Sequence, residues 1–140
     1  HLNKEEVRTF YKVKGDELTI LVSDAVDLAG LPPGEYSRWG ETLILTPDVV
    51  KFPAENVLAG AASPISKCVS NMMRFTGCSL ESAINMASRN PAQLMGLDDI
   101  GEIQEGKRAD LILFTQEGSE IEIHQTFVNG EMVFSSGPDI

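Results

Sequence analysis

An acid stands immediately beyond an apolar run in the stretch ELTILVSDAVDLAGLPPG, Glu17 to Gly34, where Leu18 to Val22 gives way to Ser23-Asp24 and a Gly/Pro-rich loop. Two kinds of chemistry fit that placement. In parallel α/β architectures the reacting groups gather beyond the carboxyl ends of the strands, so a carboxylate there can serve as general base or acid. An aspartate in such a spot can equally close a turn through its own backbone. On the residues alone both readings of Asp24 stand, whereas Asp27 reads as an ordinary loop acid.

Other reactive side chains give less. His1 and His124 are the two histidines, and neither has a second His at helical spacing, so no zinc site of three protein ligands can be assembled from this chain alone. His124 falls in an alternating stretch and reads as a structural histidine. Neither Ser23 nor Ser63 sits in a G-x-S-x-G elbow, and the glycine-rich stretches lack the spacing and lysine of a phosphate loop. Cys68 and Cys78 lack metal-type spacing and are too few for a disulfide framework. Free thiols of this sort fit the cytoplasm, and no secretory leader is expected.

The elements that must carry these groups can be read from caps and periodicity. Asn3 with Glu6 has capping-box form, and Val7, Phe10 and Tyr11 follow at helical spacing, predicting a helix over Lys4 to Val13 that closes at Gly15. The short β-branched run Leu18 to Val22 then predicts a strand buried on both faces. GLPPGEY reads as a turn, Thr42 to Thr46 as a strand and PDVVKFP as its hairpin partner. Ser63-Pro64 opens a helix with the stripe Ile65, Cys68, Val69, Met72 and Met73, stopped by Gly77, with the two methionines as core filler. Ser79 caps the next helix, which Asn90-Pro91 ends, and a short helix over Ala92 to Met95 follows. A strand from Ala109 to Thr115 and a hairpin turning at Asn129-Gly130 complete the chain.

At 140 residues the chain is about one domain long, and a net charge of -10 argues against nucleic-acid or anionic-membrane partners, both of which need a basic face. No apolar run approaches the roughly 20 residues that cross a bilayer.

Four stretches carry a family resemblance: TILVSDAVDLAGLPPG, VLAGAASPISKCVSNMMRFTGCSLESAINMASRNPAQLMGL, IGEIQEGKRADLILF and TFVNGEMVF. In this order they resemble the C-terminal part of amidohydrolase-superfamily enzymes, within the N-acetylglucosamine-6-phosphate deacetylase branch. The resemblance implies an α/β chain that is a C-terminal fragment of a metal-dependent (β/α)8 barrel plus the C-terminal strands of its small β-sandwich. A whole barrel of this kind takes about 250 residues. Residues 1–100 would hold the last helix and strand units, with an inserted loop or hairpin at about 28–57, and residues 101–140 the sandwich strands.

The implied activity is deacetylation of an N-acetyl amino-sugar phosphate by the full-length protein, with this chain inactive by itself. The alternatives are another amidohydrolase (a cyclic-amide hydrolase or deaminase) or a non-catalytic folding or oligomerisation module. Carried over from the family, Asp24 is the catalytic acid/base and approaches or ligates a divalent metal, zinc or similar, as a ligand only when upstream ligands are present. None is expected to bind tightly to this chain alone. His1 matches a substrate-contacting histidine, and Leu58, Ala59 and Gly60 match a loop whose backbone approaches the substrate; Ala61 stands where the family often has serine. The unpaired strand edges and apolar helix faces of such a chain imply self-association.

Overall fold

Asn3 starts the first helix by accepting from the backbone N–H of Glu6 at 2.9 Å, while the Glu6 carboxylate accepts from the Asn3 N–H at 2.8 Å. A computed structural model describes residues 2–137, and this reciprocal cap opens α1 (Lys4–Lys14), which ends at Gly15 with a positive φ of 71°. His1 and its expected substrate role lie outside the described residues.

The described chain forms two compact units, Val22–Cys68 and the combination of Leu2–Leu21 with the chain from Val69 onward. In the first unit, β1 (Gly34–Arg38), β2 (Glu41–Leu45), β3 (Val49–Phe52) and β4 (Val57–Ala61) form one sheet in that order, every neighbour antiparallel. Leu28, Leu43, Leu45, Val50 and Ala62 make its core, with Val26 and Phe52 packed against them. Tyr36 also joins that core, so the expected turn through GLPPGEY is shorter than read: the β1 ladder begins at Gly34. Trp39 and Gly40, both at positive φ, make the β1–β2 turn.

In the second unit, α2 (Ile65–Thr76, from Val69 on) and α3 (Leu80–Ala87) bury Val69, Met72, Met73, Ala83 and Met86, joined by Val7, Tyr11 and Leu21. Ser79 caps α3 by accepting from the Ser82 N–H at 3.1 Å. The last short helix, α4, runs over Arg89–Met95 and so starts before Pro91. Proline is tolerated there because a first-turn N–H has no intrahelical acceptor to lose. A second sheet has the order β5 (Leu111–Glu117), β6 (Glu120–Val128), β7 (Glu131–Ser135), antiparallel throughout, with Asn129 and Gly130 at positive φ in the β6–β7 turn.

The expected buried strand over Leu18–Val22 is corrected. This backbone joins no sheet, and Leu18 and Val22 are 73% and 76% exposed. A strand buried on both faces needs a hydrogen-bonded strand at each edge, and among the described residues no strand lies beside it, the Leu21 N–H donating to Met86 in α3 instead. Among the described residues, no helix is long and apolar enough to cross a membrane.

Candidate active-site segment

The segment leading to Asp24 is tied down at both ends. At its start the buried side chain of Asn90 donates to the carbonyls of Asp16 at 2.6 Å and Thr19 at 2.7 Å, and the Leu21 N–H donates to the Met86 carbonyl at 2.8 Å. Asp16 is itself engaged, accepting from the hydroxyl of Ser82 at 2.5 Å and from that of Tyr11. The Ser82 and Tyr11 hydrogen bonds hold the Asp16 carboxyl below the usual range, and the bond to Asp16 pushes Tyr11 up to about 12.

At the other end, Asp24 has φ 54°, a left-handed conformation that aspartate tolerates better than most side chains. Its carbonyl accepts from the Ala61 N–H at 2.8 Å, and the Val26 N–H donates to the Ala61 carbonyl at 3.1 Å, so Ala25 and Ala61 form a parallel bridge. Ser23 Oγ accepts from the Ala25 N–H at 3.3 Å. The Asp24 residue is exposed.

Leu58, Ala59 and Gly60 lie on β4 in the same unit. Val50 pairs with Gly60 but Lys51 pairs with Leu58, which leaves Ala59 as the extra residue of a β-bulge. Leu58 is exposed, Ala59 packs against the core and Gly60 is buried. Asp24 therefore sits beside the Gly60-Ala61 end of β4. Asp27 makes a surface ion pair with Arg38 at 3.0 Å, as befits a loop acid.

His124 on β6 meets Thr115 Oγ1 through Nε2 at 2.9 Å and Ser136 Oγ through Nδ1 at 3.3 Å. Among the described residues, no group of three His, Cys, Asp or Glu could hold a metal ion. The donor set here does not fit a divalent metal by itself, since three or more protein ligands are the rule for a catalytic ion. Asn90 and the Ala59 bulge were missed in the sequence. The Asn-Pro pair carried the only signal for the first, and it read as a helix end.

Comparison with known proteins now decides the family. The model of the amidohydrolase family matches residues 43–133. The chain belongs to the amidohydrolase family. The chain is 31% identical over 132 residues to N-acetylglucosamine-6-phosphate deacetylase of Lysinibacillus sphaericus, covering 94% of this chain and 33% of that protein. It is 33% identical over 117 residues to N-acetylgalactosamine-6-phosphate deacetylase of Escherichia coli O157:H7, covering 83% of this chain and 30% of that protein. Among solved structures, N-acetylglucosamine-6-phosphate deacetylase from Thermotoga maritima superimposes with a TM-score of 0.83 at 36% identity, over 97% of this chain and 36% of that one. The chain spans about a third of the length of these relatives.

The stretch GEIQEGKRADLILF, one of those that carry the resemblance, has a structural explanation in this chain. A Cβ on Gly101 would lie 2.9 Å from Ala92 Cβ and 3.2 Å from Arg89 Cα, so glycine lets this loop lie on α4. Glu102 bridges Arg89 at 2.7 Å and Lys107 at 2.9 Å, and the Lys107 bond chiefly holds its carboxyl below the usual range. Asp110 accepts from the Asn129 N–H at 2.9 Å, fastening the β6–β7 turn.

Proposed function

We propose that this chain is the C-terminal part of a metal-dependent amide hydrolase that removes acetate from an N-acetyl amino-sugar phosphate. The observation that carries the reading is the likeness to deacetylases over nearly the whole chain, with Asp24 held beside Gly60-Ala61. In this reading residues up to 100 continue a (β/α)8 barrel and later strands extend its small sandwich. Leu58, Ala59 and Gly60 meet the substrate, as does His1.

Amide hydrolysis needs a water that loses a proton as it attacks the acetamide carbonyl, and an amine that gains one as it leaves. Asp24 takes the first proton and returns it to the nitrogen, the same carboxylate acting as base and then acid. In this reading Asp24 would approach or help hold a divalent metal together with ligands from outside this chain, and such an ion would supply Lewis-acid chemistry at the carbonyl and the water. The chain by itself is inactive and associates with itself.

Acetate release from N-acetylglucosamine 6-phosphate tests the proposal. It is measured for the protein translated with its in-frame upstream codons, for its Asp24→Asn variant and for this chain alone. Release by the first and a loss of about a hundredfold or more in the variant is the expected pattern, in the range of a lost general acid/base. Undiminished release by Asp24→Asn removes Asp24 from the chemistry, and no release by the longer protein removes the substrate assignment.

A further inference from the structure

We propose that Gly60 is a positioning residue for Asp24, required because the Asp24 backbone and the Val26 side chain occupy the space a side chain at position 60 would need. The inference rests on the reading of Asp24 as the proton-carrying group, and adds a residue that acts through it.

The contacts are steric and short. A Cβ built on Gly60 would lie 2.5 Å from Val26 Cγ1, 3.0 Å from the Asp24 carbonyl oxygen and 3.7 Å from Val26 Cβ. Carbon atoms not bonded to each other settle at about 3.5–4.0 Å, so one of these groups has to move. Val26 is a poor candidate. It is β-branched, with little freedom at χ1, and it packs against the core of Leu28, Leu43, Leu45 and Val50. The remaining way out is for the Asp24–Val26 backbone to draw back from β4 as a whole, which takes the Asp24 carbonyl away from the Ala61 N–H it accepts from at 2.8 Å.

The consequence for Asp24 follows from its backbone. At φ 54° the Cα–Cβ bond leaves the chain in a direction that the β region would not reproduce. The two hydrogen bonds to Ala61, from Val26 and to Asp24, hold this conformation on either side of Ala25. The bulge at Ala59 sets which β4 residue faces Asp24, and brings a glycine there. Loss of the Ala61 bond frees the peptide that follows Asp24 and lets the carboxylate turn away from its set direction.

Amide exchange and carbon chemical shifts of this chain by NMR test the inference, comparing the native sequence with Gly60→Ala, Gly60→Ala/Val26→Ala and Gly40→Ala. Gly40 has φ 81° and nothing within 4 Å of a built Cβ, so its substitution loosens the same unit without crowding Asp24. Gly60→Ala is expected to speed exchange at the Ala61 amide by about tenfold relative to the Val50 amide, a local opening in place of a global one. The Asp24 Cα and Cβ shifts move out of their left-handed pattern in the same variant. Removing the Val26 methyls in the double variant restores part of both signals.

Unchanged Asp24 shifts in a folded Gly60→Ala chain overturn the inference, and so does an equal response to Gly40→Ala. If Gly60→Ala does not fold, the scalar coupling across the Ala61 N–H to Asp24 carbonyl bond decides in the native chain, its absence overturning the inference. Acetate release by Asp24→Asn in the longer protein is independent of all this. Retained release there sinks the catalytic reading and leaves the packing of Gly60 on Asp24 intact.

Discussion

The amide of Asn90 donates one hydrogen to the Thr19 carbonyl at 2.7 Å, and a second hydrogen to that of Asp16 at 2.6 Å. One buried side chain thus fastens the turn between α1 and the segment that leads to Asp24. Asn90→Ala leaves both carbonyls short of a donor, at a cost of about 1–3 kcal/mol for each unsatisfied group. Asn90→Asp keeps the size but sets a carboxylate against two carbonyl oxygens, so it is the more damaging at neutral pH. Urea unfolding of the two variants checks the order. A change within about 0.5 kcal/mol for Asn90→Asp, the range of an ordinary surface substitution, would show that the fastening is not made in solution.

Tyr11 and Asp16 make opposite predictions at the two ends of the pH scale. Tyr11 titrates at about 12 in the folded chain, raised by its hydrogen bond to Asp16 and then by burial, against about 10 when unfolded. Its contribution to stability is complete below pH about 10 and disappears as the pH rises towards 12. Asp16 is lowered by the Ser82 bond and then the Tyr11 bond. Its contribution is present above the unfolded value of about 3.9 and is lost as the pH falls through the lowered folded value. Phenolate absorbance follows the first directly: one tyrosine ionises late in the native chain, and Asp16→Ala returns it towards the ordinary range.

Local signals were the legible part of this chain. The Asn3–Glu6 cap, the Ser79 cap and the Asn129-Gly130 turn each depend on residues a few positions apart, and each is present where its residues stand. The Leu18–Val22 run failed for the complementary reason. Its composition describes a strand's interior, but a strand exists only through neighbouring strands, and among the described residues no strand pairs with it. Pro91 marked a helix end by its effect on Asn90, yet it stands in the first turn of α4, where a missing N–H costs no intrahelical bond, and the helix runs through the pair. The candidate site was half legible. The position of Asp24 beyond the apolar run was plain, whereas its contact with Gly60 and Ala61 depends on how a four-stranded sheet and its bulge return the chain.

The left-handed backbone of Asp24 separates its stability role from its chemistry. Asp24→Asn keeps a side chain that tolerates φ 54°, so the fold is expected to lose little. Asp24→Val puts a β-branched residue there and costs about 1–2 kcal/mol, while Asp24→Gly removes the backbone cost altogether. Thermal unfolding should therefore rank Gly at or above Asn, and Asn above Val, although all three lack the carboxylate that the proposed deacetylation requires. A Val variant as stable as the Asn variant would mean that residue 24 leaves the left-handed region in solution.

Self-association is expected to involve the sheet β5–β7. Leu113, Met132, Val133 and Phe134 are between 49% and 60% exposed, and β5 and β7 are its outer strands. Edges and apolar surface of this kind pair with further chain when they are left bare. The net charge of -10 opposes association through long-range repulsion, which salt screens over a Debye length of about 10 Å at 0.1 M. The mass found by light scattering should accordingly rise with protein concentration and rise further with added salt. Val133→Lys, on an outer strand, should lower it by placing a charge against the contact. A single monomeric mass across the whole range of concentration and salt would show that these faces do not meet in pairs of this chain.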